Sequence, residues 1–199
     1  MAKEISSKIK DWDQYYIDNM NESMPWFSLH LDNDIKNELE IRKIISGTFL
    51  DIGTGPGTQA SALSKMGFET TGTDISSKAI VKAKLINKTV NYIQDNILDT
   101  KLSSMFDYVM DRGCFHVFKP EQRETFVNNV YKLLKPGGLY FLKCFSHKQE
   151  GKKGPQRISP VDIHNSFGKL FNIISIKDSV FDGERSSFPK ALFVVMKKS

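Results

Sequence analysis

The sequence predicts an α/β fold, with a mostly parallel sheet, helices on both of its faces and a helical lead-in before it. From about residue 47 onward, short apolar runs of strand length alternate with helical patterns. Gly/Pro punctuation divides the alternating segments, and no internal repeat or low-complexity tract interrupts them. At 199 residues the chain has room for one such domain with a sizeable core and too little for two. Residues 1–199 are therefore expected to form a single domain, with 1–46 as lead-in and 47–199 as the α/β core.

In the lead-in, Glu4 to Asn19 and Asp32 to Ile45 carry amphipathic helical spacing. They flank the aromatic segment Met24-Pro25-Trp26-Phe27, which is placed to act as a cap. Thr48 to Ile52 is a short buried strand, Thr58 to Met66 a helix, Phe68 to Thr73 a strand and Ser77 to Asn87 a helix, which makes a βαβα run. Strands follow at Thr89 to Gln94 and Phe106 to Met110, then a helix from Glu121 to Leu134 and a strand from Leu139 to Phe145. The turn Lys135-Pro136-Gly137-Gly138 is expected to stop that helix. Pro160 to Leu170 reads as a helix. The β-rich segments Phe171 to Phe181 and Lys190 to Met196 have no long crossover between them, so they predict an antiparallel hairpin.

Composition narrows the function classes. Hydrophobic residues at 40% and charged residues at 26% are ordinary globular values, and no apolar stretch reaches membrane-spanning length. Met1 to Lys10 is polar, without the apolar core of a signal peptide, so a cytoplasmic protein is expected. Cys114 and Cys144 have no metal-ligand spacing and read as reduced, packed thiols; no metal is expected. The net charge of +5 comes from scattered lysines, a weak signal for nucleic acid. The densest basic cluster, Lys143, His147, Lys148, Lys152, Lys153 and Arg157, reads as a solvated strand end and loop.

The chemistry concentrates at the carboxyl ends of the strands. Phe49-Leu50-Asp51-Ile52 runs into Gly53-Thr54-Gly55-Pro56-Gly57 and then a helix, at the edge where parallel sheets bind ligands. Gly53 and Gly55 allow close backbone approach, and Asp51 adds a carboxylate that orders the turn or, through water, a ligand ammonium, and is unsuited to a diphosphate. The third glycine comes one residue early for a dinucleotide fingerprint, whose position holds Thr58, and no lysine follows it as in a P-loop. That spacing favours a nucleoside. Asp74, seventeen residues after Gly57, is placed to accept both ribose hydroxyls of an adenosine. The segment from Gln94 to Asp99 offers polar groups for an adenine amino group and apolar ones for its face. Asp111-Arg112-Gly113 ends the next strand at the same edge, as a site pair or a structural ion pair.

Taken together, LDIGTGPG at 50–57, the acid at 74, FDYVMD at 106–111 and LLKPGG at 133–138 resemble class I S-adenosylmethionine-dependent methyltransferases. DRG at 111–113, PEQR at 120–123, GPQRIS at 154–159 and the tail GERSSFPKALFVV most resemble the thiopurine, tellurite-resistance, halide and thiol methyltransferase group. The resemblance implies a Rossmann-like seven-stranded sheet with an antiparallel last strand, an N-terminal helical lid, and S-adenosyl-L-methionine as cofactor with S-adenosyl-L-homocysteine as product. It places Asp51, Gly53, Gly55 and Asp74 on the cofactor's amino-acid moiety and ribose, with Thr54, Gly57, Ile75 and Asp111 completing that set. Asn96 and Ile97 match the adenine-contacting segment, with Asp95 as the alternative acid one residue earlier. Trp12 and Tyr16 resemble the group's N-terminal aromatic pair, and Trp26 falls where a lid aromatic contacts cofactor or substrate; plain hydrophobic packing of that helix is the alternative. Arg112 and Arg185 resemble substrate-side arginines, Arg112 being the candidate catalytic group; the group's GPP loop is GPQ here.

The expected reaction is an in-line methyl transfer to a small-molecule acceptor, in which alignment of nucleophile and methyl group is the main contribution. A sulfur, selenium, tellurium or halide nucleophile needs no base. His116 is a substrate-side residue, as a base for an oxygen or nitrogen acceptor or as a packed ring, and Cys114 reads as a small core residue. RNA or protein methylation, and O- or N-methylation of a metabolite, stand as alternatives. A monomer or weak homodimer, with no membrane or nucleic-acid partner, is expected.

Overall fold

A computed structural model describes residues 11–24, 26–151, 154–183 and 188–199. Its elements run α1 (Trp12–Asp18), α2 (Asn33–Ile41), β1 (Thr48–Ile52), α3 (Thr58–Lys65), β2 (Glu69–Asp74), α4 (Ser77–Ile86), β3 (Asn91–Gln94), β4 (Phe106–Arg112), α5 (Pro120–Leu133), β5 (Leu134–Phe145), α6 (Pro160–Phe167), β6 (Phe171–Val180) and β7 (Lys190–Lys198). The strands form a seven-stranded sheet in the order β3-β2-β1-β4-β5-β7-β6. β1 pairs in parallel with β2 and β4, β2 with β3 and β4 with β5, while β7 runs antiparallel to both β5 and β6. The Rossmann-like α/β fold is as expected, and the strand order reverses between β1 and β4, which opens a crevice at their carboxyl ends.

Period-two alternation assigns the faces of the sheet. On β5, Tyr140, Leu142 and Cys144 join α5, α6 and Leu50 of β1 in one core, while Leu139 and Phe141 join Phe49, Met110, Phe193 and the α2 residues Ile35 and Leu39 in the other. α3, α4 and β3 close a third cluster around Ala60, Ile80, Ala83 and Tyr92.

Two boundaries differ from expectation for local reasons. α2 ends at Ile41 rather than Ile45, because Lys43 takes a left-handed φ of 56°. The Ile44 N–H then bonds the Leu39 carbonyl and the Lys43 N–H bonds that of Glu40, which is a Schellman stop. The Lys-Pro-Gly-Gly run does not separate helix from strand: β5 begins at Leu134, paired with Phe106, and Tyr108 next pairs with Leu139. The intervening residues bulge out of the strand because Leu134 is fully buried and drawn into the sheet. The predicted lead-in helix from Glu4 lies outside the described residues up to Lys10.

The lead-in is fastened to the core by polar groups. Asp13 of α1 accepts bonds from the hydroxyls of Ser76 and Ser77 and the N–H of Lys78, at 2.6, 3.0 and 3.2 Å, so that a carboxylate sits on the amino end of α4. Gln59 in the first turn of α3 accepts the Asp32 N–H at 2.8 Å and donates to the His30 carbonyl at 2.8 Å.

Candidate active site

The turn after β1 is built on three left-handed glycines, Gly53, Gly55 and Gly57, with φ of 67°, 54° and 77°. A Cβ on Gly53 would lie 2.9 Å from that of Cys114, and one on Gly57 2.7 Å from that of Ala83. The Thr54 N–H bonds the Thr73 carbonyl at 2.8 Å, and Tyr92 donates its hydroxyl to the Gly57 carbonyl at 2.9 Å, locking the loop against β2 and β3.

Three buried carboxylates gather at this edge. Asp51 accepts the Thr54 hydroxyl at 2.6 Å. Asp74 accepts the N–H groups of Gly55 and Ser76, each at 2.9 Å. Asp111 accepts the N–H groups of Cys114 and Phe115 at 2.6 and 2.8 Å and the Tyr140 hydroxyl at 3.3 Å. Burial raises all three, Asp51 to about 7, Asp74 to about 6 and Asp111 to about 7, and mutual repulsion from Asp111 and Asp74 adds to the rise at Asp51. No lysine or arginine among the described residues pairs with any of them.

The lead-in aromatics sit over this loop. Trp12, Tyr15, Tyr16 and Trp26 form one ring cluster, with Tyr15 and Trp26 centroids 5.4 Å apart and those of Trp12 and Trp26 6.2 Å apart. A Cβ on Gly55 would lie 2.8 Å from the Tyr16 hydroxyl and 3.7 Å from the Trp26 indole nitrogen, so both aromatics reach the glycine turn. Tyr16 is almost wholly buried, and burial pushes its phenol well above the ordinary range.

In the segment after β3, Asn96 turns its side chain to cap Leu98 N–H at 3.1 Å, and Asp95 accepts the Lys101 N–H at 2.9 Å while its own N–H bonds the Asp74 carbonyl at 2.9 Å. Ile97 packs into the core and Ile75 stays half exposed.

Asp111 and Arg112, adjacent on β4, point to opposite faces and do not pair with each other. Arg112 is instead turned into a buried ion-pair network. Its Nε donates to Asp32 at 2.7 Å, Nη1 to the Trp26 carbonyl at 2.9 Å, and Nη2 to the Asp182 carbonyl and carboxylate. Lys143, 1% exposed, places Nζ 2.5 Å from Asp32, 2.7 Å from Asp34 and 3.1 Å from the Val180 carbonyl. The solvated reading of Lys143 is thereby corrected: it lies on the same sheet face as Leu139 and Phe141, beneath the lead-in. Arg185, like Lys152 and Lys153, lies outside the described residues.

His116 is buried in the turn after β4, and its Nδ1 accepts the Phe145 N–H at 3.0 Å. Burial and the nearby Arg157 lower its pKa to about 3. Burial also holds the Cys114 thiol well above its ordinary range.

Residues 49–138 match the profile of the methyltransferase domain family. An uncharacterized methyltransferase of Schizosaccharomyces pombe, C750.03c, is 30% identical over 145 residues, spanning 67% of this chain and 98% of that protein. The chain belongs to the methyltransferase family. The methyltransferase shares its fold with a protein solved in work on the conversion of a disulfide bond into a thioacetal group during echinomycin biosynthesis, at TM-score 0.80, 20% identity, 94% of this chain and 91% of that one. It also shares its fold with the 1,6-didemethyltoxoflavin-N1-methyltransferase of Burkholderia thailandensis, solved with S-adenosylhomocysteine, at TM-score 0.69 and 16% identity over 84% and 77% of the chains.

S-adenosylmethionine is the cofactor of this family, and the residues of the methyltransferase fit it. A cluster of buried carboxylates with no protein cation among its described neighbours suits a ligand carrying an ammonium and a sulfonium, and excludes a diphosphate. Because folding raises these carboxylates above the value of an unfolded aspartate, the ligand-free protein should lose stability as pH rises through about 6 to 7, where they ionise against one another. A cationic ligand favours the ionised forms. The rise in Tm on adding S-adenosylmethionine is therefore expected to be larger at about pH 8 than at about pH 5.5; an equal rise at both, measured by thermal shift, contradicts this.

Asp13, Gln59, Asp32 and Lys143 were not anticipated as residues that fasten the lead-in to this edge. Only Lys143 left a signal, as one charge within the apolar run Leu139-Tyr140-Phe141-Leu142-Lys143-Cys144-Phe145.

Proposed function

We propose that the methyltransferase transfers a methyl group from S-adenosylmethionine in-line to a small-molecule acceptor whose nucleophile is sulfur, selenium, tellurium or halide. The observation that carries this reading is the lack of a free base beside the glycine loop among the described residues. His116 Nδ1 is occupied by a backbone N–H, Asp51 is bonded to the Thr54 hydroxyl and Asp74 to the Gly55 and Ser76 N–H groups, both facing the cofactor, Asp111 accepts two N–H groups and a phenol, and Cys114 is held protonated by burial. An acceptor that must first lose a firmly held proton finds no general base here. A soft nucleophile that arrives with a lone pair needs only alignment.

In this reading Asp51, Gly53, Thr54, Gly55 and Gly57 hold the amino-acid end of the cofactor, Asp74 and Ile75 flank its ribose, and Asp95, Asn96 and Ile97 border its adenine. Asp111 holds the turn that carries Cys114 and Phe115. When bound, the cofactor supplies an electrophilic methyl group on a positively charged sulfur. Tyr16, Trp12 and Trp26 cover the loop and exclude water from it. Arg112 acts by fixing the Trp26 segment over the site, and Arg185 is assigned to the acceptor side on family resemblance alone. The sulfur chemistry described for the echinomycin protein supports the acceptor class.

Labelled-methyl transfer to a panel of small thiols, tellurite, iodide and phenols tests the reading. Transfer to one or more of the first three classes, with phenols left unmodified, is expected; transfer confined to phenols or amines overturns it. Methylation of RNA or protein rests on net charge alone, and the burial of Lys143 removes one member of the densest basic cluster.

A further inference from the structure

We propose that His116 is an acceptor-binding, specificity-determining residue that presents a fixed Nε2–H to the methyl acceptor and never acts as a base. The inference rests on the methyltransferase reading of this sheet edge and deepens it.

An imidazole nitrogen that accepts a hydrogen bond carries no proton, so the Phe145 N–H bonded to Nδ1 at 3.0 Å leaves the proton of the neutral ring on Nε2. Turning the ring by 180° would put Cδ2 in place of Nδ1 and break this bond. The ring is also packed between aromatics, its centroid 5.0 Å from that of Phe145 and 5.9 Å from that of Phe181. Protonation of Nδ1 would set two N–H groups against each other. Arg157, stacked 5.1 Å from the Phe145 ring, opposes a second positive charge nearby. The ring is therefore neutral with a single orientation.

Nε2 has no hydrogen-bond partner among the described residues, although His116 is only 5% exposed. Nε2 is not one of the wholly buried atoms, so part of the small exposed area of the ring lies at this nitrogen, where a ligand can complete the donor. Beside it lies Gly113, which leaves β4 with φ of 102°. A Cβ there would lie 3.5 Å from His116 Nε2 and 3.8 Å from the Phe181 ring. Cys114, the next residue, has its Sγ 3.1 Å from where a Cβ on Gly53 would be. Gly113 thus lies against an N–H donor and an aromatic ring, and Cys114 separates it from the glycine loop.

Such a wall selects an acceptor with an apolar or planar body and a hydrogen-bond-accepting atom that carries no proton on the side facing Nε2. An acceptor presenting an N–H or O–H there meets donor against donor.

The test uses the full chain with ¹⁵N-labelled histidine and S-adenosylhomocysteine bound. A long-range ¹H–¹⁵N spectrum near neutral pH should show His116 protonated at Nε2 and bare at Nδ1, and titration with thiophenol should shift the Nε2 resonance. A proton on Nδ1, or an Nε2 resonance unmoved at saturating thiophenol, overturns the proposal. In methyl transfer to thiophenol, His116→Gln keeps an N–H near the Nε2 position, whereas His116→Asn keeps only the group facing Phe145. The Asn variant should raise KM for thiophenol about tenfold or more and the Gln variant by less than about threefold, with the Tm rise from S-adenosylmethionine unchanged in both. Equal KM in the Asn variant and the parent overturns the role of His116. If the parent methylates no soft nucleophile yet binds the cofactor, the acceptor class proposed above fails, while the spectrum still decides His116.

Discussion

Replacing Asp32 with Ala is expected to destabilise the protein by about 3–5 kcal/mol and to lower its Tm by roughly 6 to 20 °C. Asp32 is the hub of a buried network: its side chain is inaccessible, and it accepts Arg112 Nε at 2.7 Å, Lys143 Nζ at 2.5 Å and the Asp34 N–H at 3.1 Å. Removing it leaves two buried cations with fewer anions, and the desolvation cost of both is no longer offset. Burial alone would raise the Asp32 pKa, but Lys143 and Arg112 outweigh it and hold the carboxyl below the ordinary range. The sign follows: with the folded value depressed, this stabilisation is fully present above the unfolded value of 3.8 and is lost as pH falls through the folded one. Thermal or urea unfolding of the variant decides the matter, and a Tm within a degree or two of the parent's would refute the network's role. Since the network joins the Trp26 segment, β4, β5 and the residues after β6, the variant should also weaken cofactor binding.

Replacing Asp74 with Ala is expected to weaken S-adenosylmethionine binding by about ten- to a hundredfold, while stability falls less than in Asp32→Ala. Two effects add. The Gly55 and Ser76 N–H groups, each 2.9 Å from this carboxylate, lose the acceptor that shapes the turn between the glycine loop and α4. The cationic ligand also loses one of the three carboxylates at the site. Asn at this position keeps one acceptor and gives up the charge, so its loss should fall between Ala and the parent. Calorimetric titration of the three proteins gives the comparison; an unchanged Kd in the Ala variant would remove Asp74 from the cofactor site.

Most of the fold was legible because its signals are local. Apolar runs of strand length, glycine stops and helical spacing placed every core strand and helix to within a few residues. The hairpin Phe171–Val180 and Lys190–Lys198 was visible from its short connection. The exceptions were Lys43, whose left-handed conformation ends α2 early, and the Lys135–Gly138 bulge, where pairing of Leu134 with Phe106 overrides the turn propensity. The gathering of Asp51, the glycines and Asp74 was equally legible, since all lie at strand ends that one sheet edge must bring together.

The sequence by itself determined the sheet, its switch point and the carboxylate-lined glycine turn, because period, turn chemistry and strand ends are properties of neighbouring residues. Only the tertiary structure decided what Arg112, Lys143 and His116 do. Arg112 and Lys143 meet Asp32 across 80 and 111 residues of chain, and the proton on His116 is set by a backbone N–H 29 residues away. Whether a charge faces water, a ligand or a buried partner depends on such long-range pairing and on the desolvation it imposes, and neither leaves a trace in local spacing.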